Sequence, residues 1–286
     1  MADKKRVLSG MRPTGQLHLG HLVGALNNWV KLQKDYQCYF MIADWHALTT
    51  SYEDIGPIKD YTHDMVIDMI AAGIDPSKSV LFLQSDIKEH AELSLLLGMI
   101  TPVPWLERVP TYKEQQQELS NKDLSTFGFL GYPLLQAADI LIYKANAVPV
   151  GVDQVPHVEL TREIARRFNA FYGEIFPEPE SLLTEVPKLS GLDGRKMSKS
   201  YDNSIYLSDN AKTIREKVKT MITDPARVKR SDPGHPDVCP VFQYHKVFAP
   251  SVTQKVRNEC ENALIGCVDC KMNLANELID YLAPHH

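Results

Sequence analysis

Apolar residues follow two rhythms along this chain. Short apolar runs at Arg6–Ser9, Cys38–Ala43, Ser79–Leu83 and Ala147–Val150 predict strands, with Cys38–Ala43 and Ser79–Leu83 continuous enough to be buried on both faces. Between them apolar positions recur at helical spacing. Leu22, Ala25, Leu26, Trp29 and Leu32 form one such stripe, and Tyr61, Met65, Met69 and Ile70 form another between Pro57 and Gly73. Glu89–Ile100, Pro133–Tyr143 and Thr161–Phe168 read as further helices. Strand, helix, strand in this order predicts βαβ units and a parallel sheet, an α/β fold. Ligands of such sheets bind at the carboxyl ends of strands, so the loops after Ser9, Ala43 and Val150 are the places to expect chemistry.

Beyond Tyr201 the strand signals fade. Asp209–Thr223 and Val252–Leu264 look helical, joined through the Pro-rich Asp232–Pro240. Two domains are expected: residues 1–200 as a Rossmann-like, nucleotide-binding sheet domain, and 201–286 as a smaller helical domain.

Composition narrows the class. The chain has 286 residues, 44% of them hydrophobic and 23% charged, which excludes wholesale disorder. No apolar run approaches the roughly 18–20 residues of a membrane span. Leu93–Leu106 is interrupted by Gly98, Pro102 and Pro104. The basic start, Met1-Ala2-Asp3-Lys4-Lys5-Arg6, is not followed by the apolar region of a secretory signal, so a cytoplasmic protein without a membrane partner is expected. Five cysteines in a reducing compartment do not make a disulfide framework.

The formal net charge of −5 conceals an asymmetry. Residues 1–200 carry 20 basic and 25 acidic side chains, and the remainder 11 of each. Lys212, Arg215, Lys217, Lys219, Arg227, Lys229 and Arg230 are seven bases accompanied only by Glu216 and Asp224, a local net of +5. Such a stretch fits contact with a phosphate backbone, and a solvated helix face would carry the same residues.

Two motifs carry candidate chemistry. His18-Leu19-Gly20-His21 lies after the first strand and opens a helix, where free backbone N–H groups and a partial positive charge favour phosphate. Gly20 lets a nucleotide approach closely, and the two imidazoles offer donors. Lys196-Met197-Ser198-Lys199-Ser200 follows Gly191, Gly194 and Arg195, and places two lysines and two hydroxyls on one loop, a cationic clamp for charge growing on a transferring phosphate. Taken singly, these are equally two histidines at a helix start and a solvated basic loop.

In this order the two motifs resemble the HIGH and KMSKS signatures of class I aminoacyl-tRNA synthetases. Ser9-Gly10-Met11-Arg12-Pro13-Thr14-Gly15, Ala43-Asp44-Trp45-His46-Ala47-Leu48-Thr49, Gln136-Ala137-Ala138-Asp139-Ile140-Leu141 and Pro149-Val150-Gly151-Val152-Asp153-Gln154 extend the resemblance, most closely to bacterial tryptophanyl-tRNA synthetases. The resemblance implies activation of L-tryptophan by ATP, with Mg2+ accompanying the nucleotide, and transfer of the aminoacyl group to tRNA(Trp), by a homodimer. It also implies the roles of individual residues. His18, His21, Lys196 and Lys199 would be catalytic. ATP would be bound by these four together with Arg12, Thr14, Gly15, Gly20, Gly151, Asp153, Met197 and Ser198. Tryptophan would meet Leu8, Gly10, His46, Tyr132, Gln136, Asp139, Val148, Val150 and Gln154. Asp139 would accept the indole N–H. Indole has one donor and no acceptor, and a buried carboxylate left unpaired by an analogue lacking that donor is costly. On residue chemistry alone, Asp139 reads equally as a helix cap or a partner of Lys144. Glu89–Leu106 is apolar enough for a dimer interface, as a buried core helix would also be.

Cys38 sits in an apolar strand as a small buried hydrophobe. Cys239, Cys260, Cys267 and Cys270 are spaced C-x20-C-x6-C-x2-C, a set able to hold zinc or an iron–sulfur cluster or to stand as free thiols. Some members of the resembled family with a similar quartet carry a 4Fe-4S cluster in the anticodon-recognition region, which favours iron–sulfur here. Relatives continue for some tens of residues past Leu282-Ala283-Pro284-His285-His286, whose last two histidines are tag-like, so activation is expected to be complete and tRNA charging weakened. The rival readings are a tyrosyl-tRNA synthetase and a non-catalytic RNA-binding or regulatory paralogue.

Overall fold

The computed structural model describes residues 4–110, 125–183, 189–198 and 201–285. The chain divides into two compact units, one of Met1–Gly15 with Asn27–Glu185, the other of Gln16–Leu26 with Val186–His286.

The first unit is built on strands β1 (Arg6–Met11), β2 (Gln37–Ile42), β3 (Ser79–Leu83), β4 (Ala147–Val150) and β5 (Glu180–Leu183), in the order β3-β2-β1-β4-β5 with every neighbouring pair parallel. β2 is an interior strand and apolar, with Cys38 and Phe40 fully buried. β1 runs two residues past its expected end, because pairing with β2 continues through Gly10↔Met41 and Met11↔Ile42. β3 has the expected bounds but is not buried on both faces: as an edge strand only its Ser79 is buried, and Val80 is 45% exposed. β5, the other edge, is too short and polar to register in the apolar pattern. The strand order reverses between β1 and β4, and in open parallel sheets the crevice beyond the strand carboxyl ends at such a point is where ligands bind.

The helix Phe127–Ile142 organises this unit. It begins six residues before the expected Pro133, with the Thr126 side chain accepting the Phe129 N–H at 3.2 Å as an N-cap. On one side Leu134, Ala137 and Leu141 pack with Leu97, Leu106, Leu160 and Ile164. On another, Ile140 packs with Leu8, Val148, Val150 and Val158. Asp139 lies between these apolar contacts. The helix Val155–Tyr172 is likewise longer than expected, and Asp44–Ser51 is helical where a loop was expected.

In the second unit, Leu19 N–H donates to the Ile205 carbonyl and Leu207 N–H to that of Leu17, each at 3.0 Å. The expected first helix is here a short α-helical turn, Leu19–His21, and a π-helical turn, Leu22–Leu26. Helices Ala211–Thr220 and Thr253–Glu261 fall inside the expected segments. Pro240–Phe248 and Cys267–Leu282 are additional, and bury Phe242, Tyr244, Phe248, Leu274, Leu278 and Leu282. Among the described residues no helix is long and apolar enough to cross a membrane.

Candidate active site

In the first unit, β1 ends in a tight turn. Thr14 N–H donates to the Arg12 carbonyl at 2.9 Å, and Gly15 adopts φ +139°, a region that favours glycine. Arg12 and Thr14 are exposed, and Arg12 lies within electrostatic reach of Tyr132. Leu8 is buried with Val148 and Val150, whereas Gly10 is open. A Cβ at Gly10 would stand 3.1 Å from the Met41 carbonyl oxygen, so only glycine fits there without displacing β2. Beyond β4, Gly151 leads to Asp153 and Gln154, whose amide donates to the Asp153 carboxylate at 3.0 Å.

Tyr132, Gln136 and Asp139 recur at helical spacing along one face of Phe127–Ile142. Asp139 is 1% exposed and is neither a helix cap nor bonded to Lys144. Its Oδ2 accepts from His46 Nε2 at 2.7 Å; its Oδ1 accepts from Gln84 Nε2 at 2.8 Å and His90 Nδ1 at 2.7 Å. Burial alone would push this carboxyl up, but the charge and hydrogen bond of His46 and the hydrogen bond of His90 outweigh it and hold Asp139 below the usual carboxylate range. His90 Nε2 lies 2.8 Å from the Tyr143 hydroxyl, a phenol pushed up by burial and by the Asp139 charge. Tyr132 meets His157 Nε2 at 3.2 Å, and burial pushes His157 down to about 4.

In the second unit, the predicted phosphate turn is capped by its own histidines. His18 Nδ1 accepts the Gly20 N–H and His21 Nδ1 accepts the His18 N–H, both at 3.1 Å. These bonds place the proton of each neutral ring on Nε2. The Lys196–Ser198 stretch folds against this turn: a Cβ at Gly20 would lie 3.5 Å from Met197 Sδ. Lys196 is exposed, Met197 buried and Ser198 half-buried; Lys199 and Ser200 lie outside the described residues. Asn203 braces the loop. Its amide nitrogen donates to Asp193 at 2.7 Å and the Lys196 carbonyl at 3.1 Å, and its oxygen accepts the Ser198 N–H at 2.9 Å.

Residues 2–283 match the family described as tRNA synthetases class I (W and Y). The chain belongs to this family. The synthetase is 61% identical to a tryptophan–tRNA ligase of Thermotoga maritima, over 98% of this chain and 86% of that protein. It is 45% identical to the tryptophan–tRNA ligase of Aquifex aeolicus, over 98% and 89%. The crystal structure of tryptophanyl-tRNA synthetase from Campylobacter jejuni, complexed with ADP and tryptophan, superimposes with a TM-score of 0.89 at 36% identity, over 98% and 86%.

One expectation needs correction in the second unit of the synthetase. The seven-base stretch overstates the surface charge: Lys217 is paired with Asp209 at 2.6 Å, and Arg227 is 9% exposed with its guanidinium donating to the Arg230 and Ile265 carbonyls. Among the described residues no group of three or more His, Cys, Asp or Glu side chains stands close enough to hold a metal ion. The cysteines are nevertheless mutual neighbours. Burial, then the charges of Cys239, Cys260 and Cys267, push Cys270 up to about 12. His245 Nε2 lies 3.5 Å from Cys270 Sγ, and Arg227 NH1 3.8 Å from Cys260 Sγ.

Gln84, His90, Tyr143, His157 and Asn203 escaped the sequence reading. Gln84 follows β3 directly, so the strand-end rule was the one signal able to find it. His90, Tyr143 and His157 are joined to the site by long-range contacts that spacing does not encode, and Asn203 by contacts with a loop whose fold the sequence does not signal.

Proposed function

We propose that this synthetase is a tryptophan–tRNA ligase. A carboxylate oxygen of L-tryptophan attacks the α-phosphorus of ATP, the bond to the β-phosphate breaks, and pyrophosphate leaves. A hydroxyl of the terminal ribose of tRNA(Trp) then attacks the carbonyl carbon and releases AMP. Neither step needs a protein nucleophile; positioning and charge stabilisation suffice. Mg2+ enters with the nucleotide, coordinated by phosphate oxygens and water.

The observation that supports this most directly is the pairing of the capped His18–His21 turn with the Lys196–Ser198 loop through Gly20 and Met197. Both imidazoles direct Nε2–H donors, and Lys196, with Lys199, supplies cations for the departing pyrophosphate. Gly20 and Met197 accommodate the nucleotide base, and Arg12, Thr14, Gly15, Gly151 and Asp153 take its remaining contacts. Leu8, Gly10, Val148 and Val150 form the apolar wall for the indole, Tyr132, His46, Gln136 and Gln154 surround it, and Asp139 accepts its N–H. Tryptophan-dependent ATP–pyrophosphate exchange tests the reading: exchange saturating with tryptophan and not with tyrosine is expected, and exchange driven by tyrosine, or none, overturns it.

Residues 1–200 carry activation and 201–286 anticodon recognition, in the cytoplasm where tRNA and ATP are found. A homodimer forms through the Glu89–Gly98 helix, where Leu95, Leu96 and, just past its end, Met99 are 64%, 60% and 73% exposed. Cys239, Cys260, Cys267 and Cys270 hold a 4Fe-4S cluster. The donor set fits such a group, with four thiols, an arginine at one sulfur and an imidazole at another, and it fits zinc in ligand type as well. Iron and sulfide of about four each per chain in anaerobically purified protein are expected; stoichiometric zinc, or free thiols without metal, overturns the assignment.

A further inference from the structure

We propose that His90 is a positioning residue for side-chain recognition, fixing the Asp139 carboxylate so that one acceptor site on Oδ2 faces the substrate. The inference rests on the reading of Asp139 as the acceptor of the indole N–H.

A carboxylate offers about four lone-pair sites, two on each oxygen. Gln84 Nε2 at 2.8 Å and His90 Nδ1 at 2.7 Å fill those of Oδ1. Oδ2 accepts from His46 Nε2 at 2.7 Å and retains one. The carboxylate torsion is broad and two-fold, so without donors on Oδ1 the group has no fixed plane. His90 is fully buried and supplies one of these two donors.

The tautomer of His90 decides whether it can. Its Nε2 meets the Tyr143 hydroxyl at 2.8 Å. The Asp139 carboxylate only accepts, so Nδ1 carries the proton aimed at it, and Nε2 of the neutral ring accepts the Tyr143 O–H. The ring is flanked by Phe82 and Tyr143, with centroids 5.9 and 5.4 Å away. Tyr143 thus holds the far side of His90, and His90 holds Asp139. His90 itself makes no substrate contact; it acts through the carboxylate.

A buried histidine that merely fills space would affect every amino acid equally, and that difference gives the test. Pyrophosphate exchange is measured with tryptophan and with its analogue in which sulfur replaces the indole N–H, and the ratio of the two kcat/KM values is compared among variants. His90→Leu is expected to lower the preference for tryptophan on the order of tenfold, with the loss in tryptophan KM. His90→Asn, whose amide nitrogen takes the Nδ1 place, is expected to restore most of it. Tyr143→Phe removes only the hydroxyl and is expected to shift the ratio in the same direction by a smaller factor. An unchanged ratio in folded His90→Leu, or in Tyr143→Phe where the leucine variant does not fold, overturns the proposal. So does an asparagine variant no better than leucine. A wild-type enzyme that does not use tryptophan would instead refute the activity, and the two failures are thereby told apart.

Discussion

The imidazole rings of His18 and His21 lie 3.8 Å apart, centroid to centroid, each tied by Nδ1 to a backbone N–H of the same turn. The side chains that build the turn are therefore the ones proposed to offer Nε2–H to phosphate. Asparagine separates these duties. His18→Asn keeps an acceptor for the Gly20 N–H and loses the ring donor. Near-native melting with an exchange rate lowered about 10²-fold is expected; a variant of native rate would mean that His18 serves structure alone.

Asn203 bears on the Lys196–Ser198 loop without carrying charge. Asn203→Ala removes three hydrogen bonds that fix the loop. Misplacement of the cation should lower kcat for exchange by about tenfold or more while the tryptophan KM stays near its native value. A rise in tryptophan KM alone would place Asn203 elsewhere in the mechanism.

His157 predicts a pH dependence. Burial lowers its folded pKa to about 4, against about 6.5 for an unfolded imidazole. Between these values the unfolded chain binds a proton that the folded chain does not. The stability contributed by the neutral ring is full above about 6.5 and is lost as pH falls through that range. Urea unfolding at pH 7 and pH 5 should show a larger drop for the native chain than for His157→Gln; equal drops would contradict the assignment.

The bases around the Ala211–Thr220 helix differ in how they are held. Lys219 and Arg230 are exposed, whereas Lys217 is bound to Asp209. Lys219→Ala and Arg230→Ala should each weaken tRNA binding and reduce the slope of log affinity against log salt by about 1. Lys217→Ala should leave that slope unchanged and lower the melting temperature. A titration of tRNA at several salt concentrations distinguishes the two outcomes.

The sequence revealed β3 and β4 at their observed bounds, because both are short apolar runs between turn residues. The first turns of the Phe127–Ile142 helix were hidden by Gly128, Gly131 and Pro133, which carry poor helix propensity, and burial of Phe129 and Leu134 overrides them. The Cys267–Leu282 helix has apolar residues at Leu274, Leu278 and Leu282, in helical register, but opens on cysteines that give no helix signal. Asp139 and His46 were legible from the resemblance. Gln84 and His90, 55 and 49 residues away from Asp139 in sequence, were not, since nothing local distinguishes a buried histidine that orients a carboxylate from one that fills a core.

Gln16–Leu26 belongs to the same compact unit as Val186–His286. During synthesis, the His18–His21 turn therefore leaves the ribosome early and must wait for most of the chain before its backbone partners at Ile205 and Leu207 exist. A fragment ending at Glu185 would keep the sheet and leave this segment unpaired, and a fragment beginning at Val186 would lack it altogether. The two units cannot be separated by a single cut, and the enzyme's oldest-made motif is among the last to find its place.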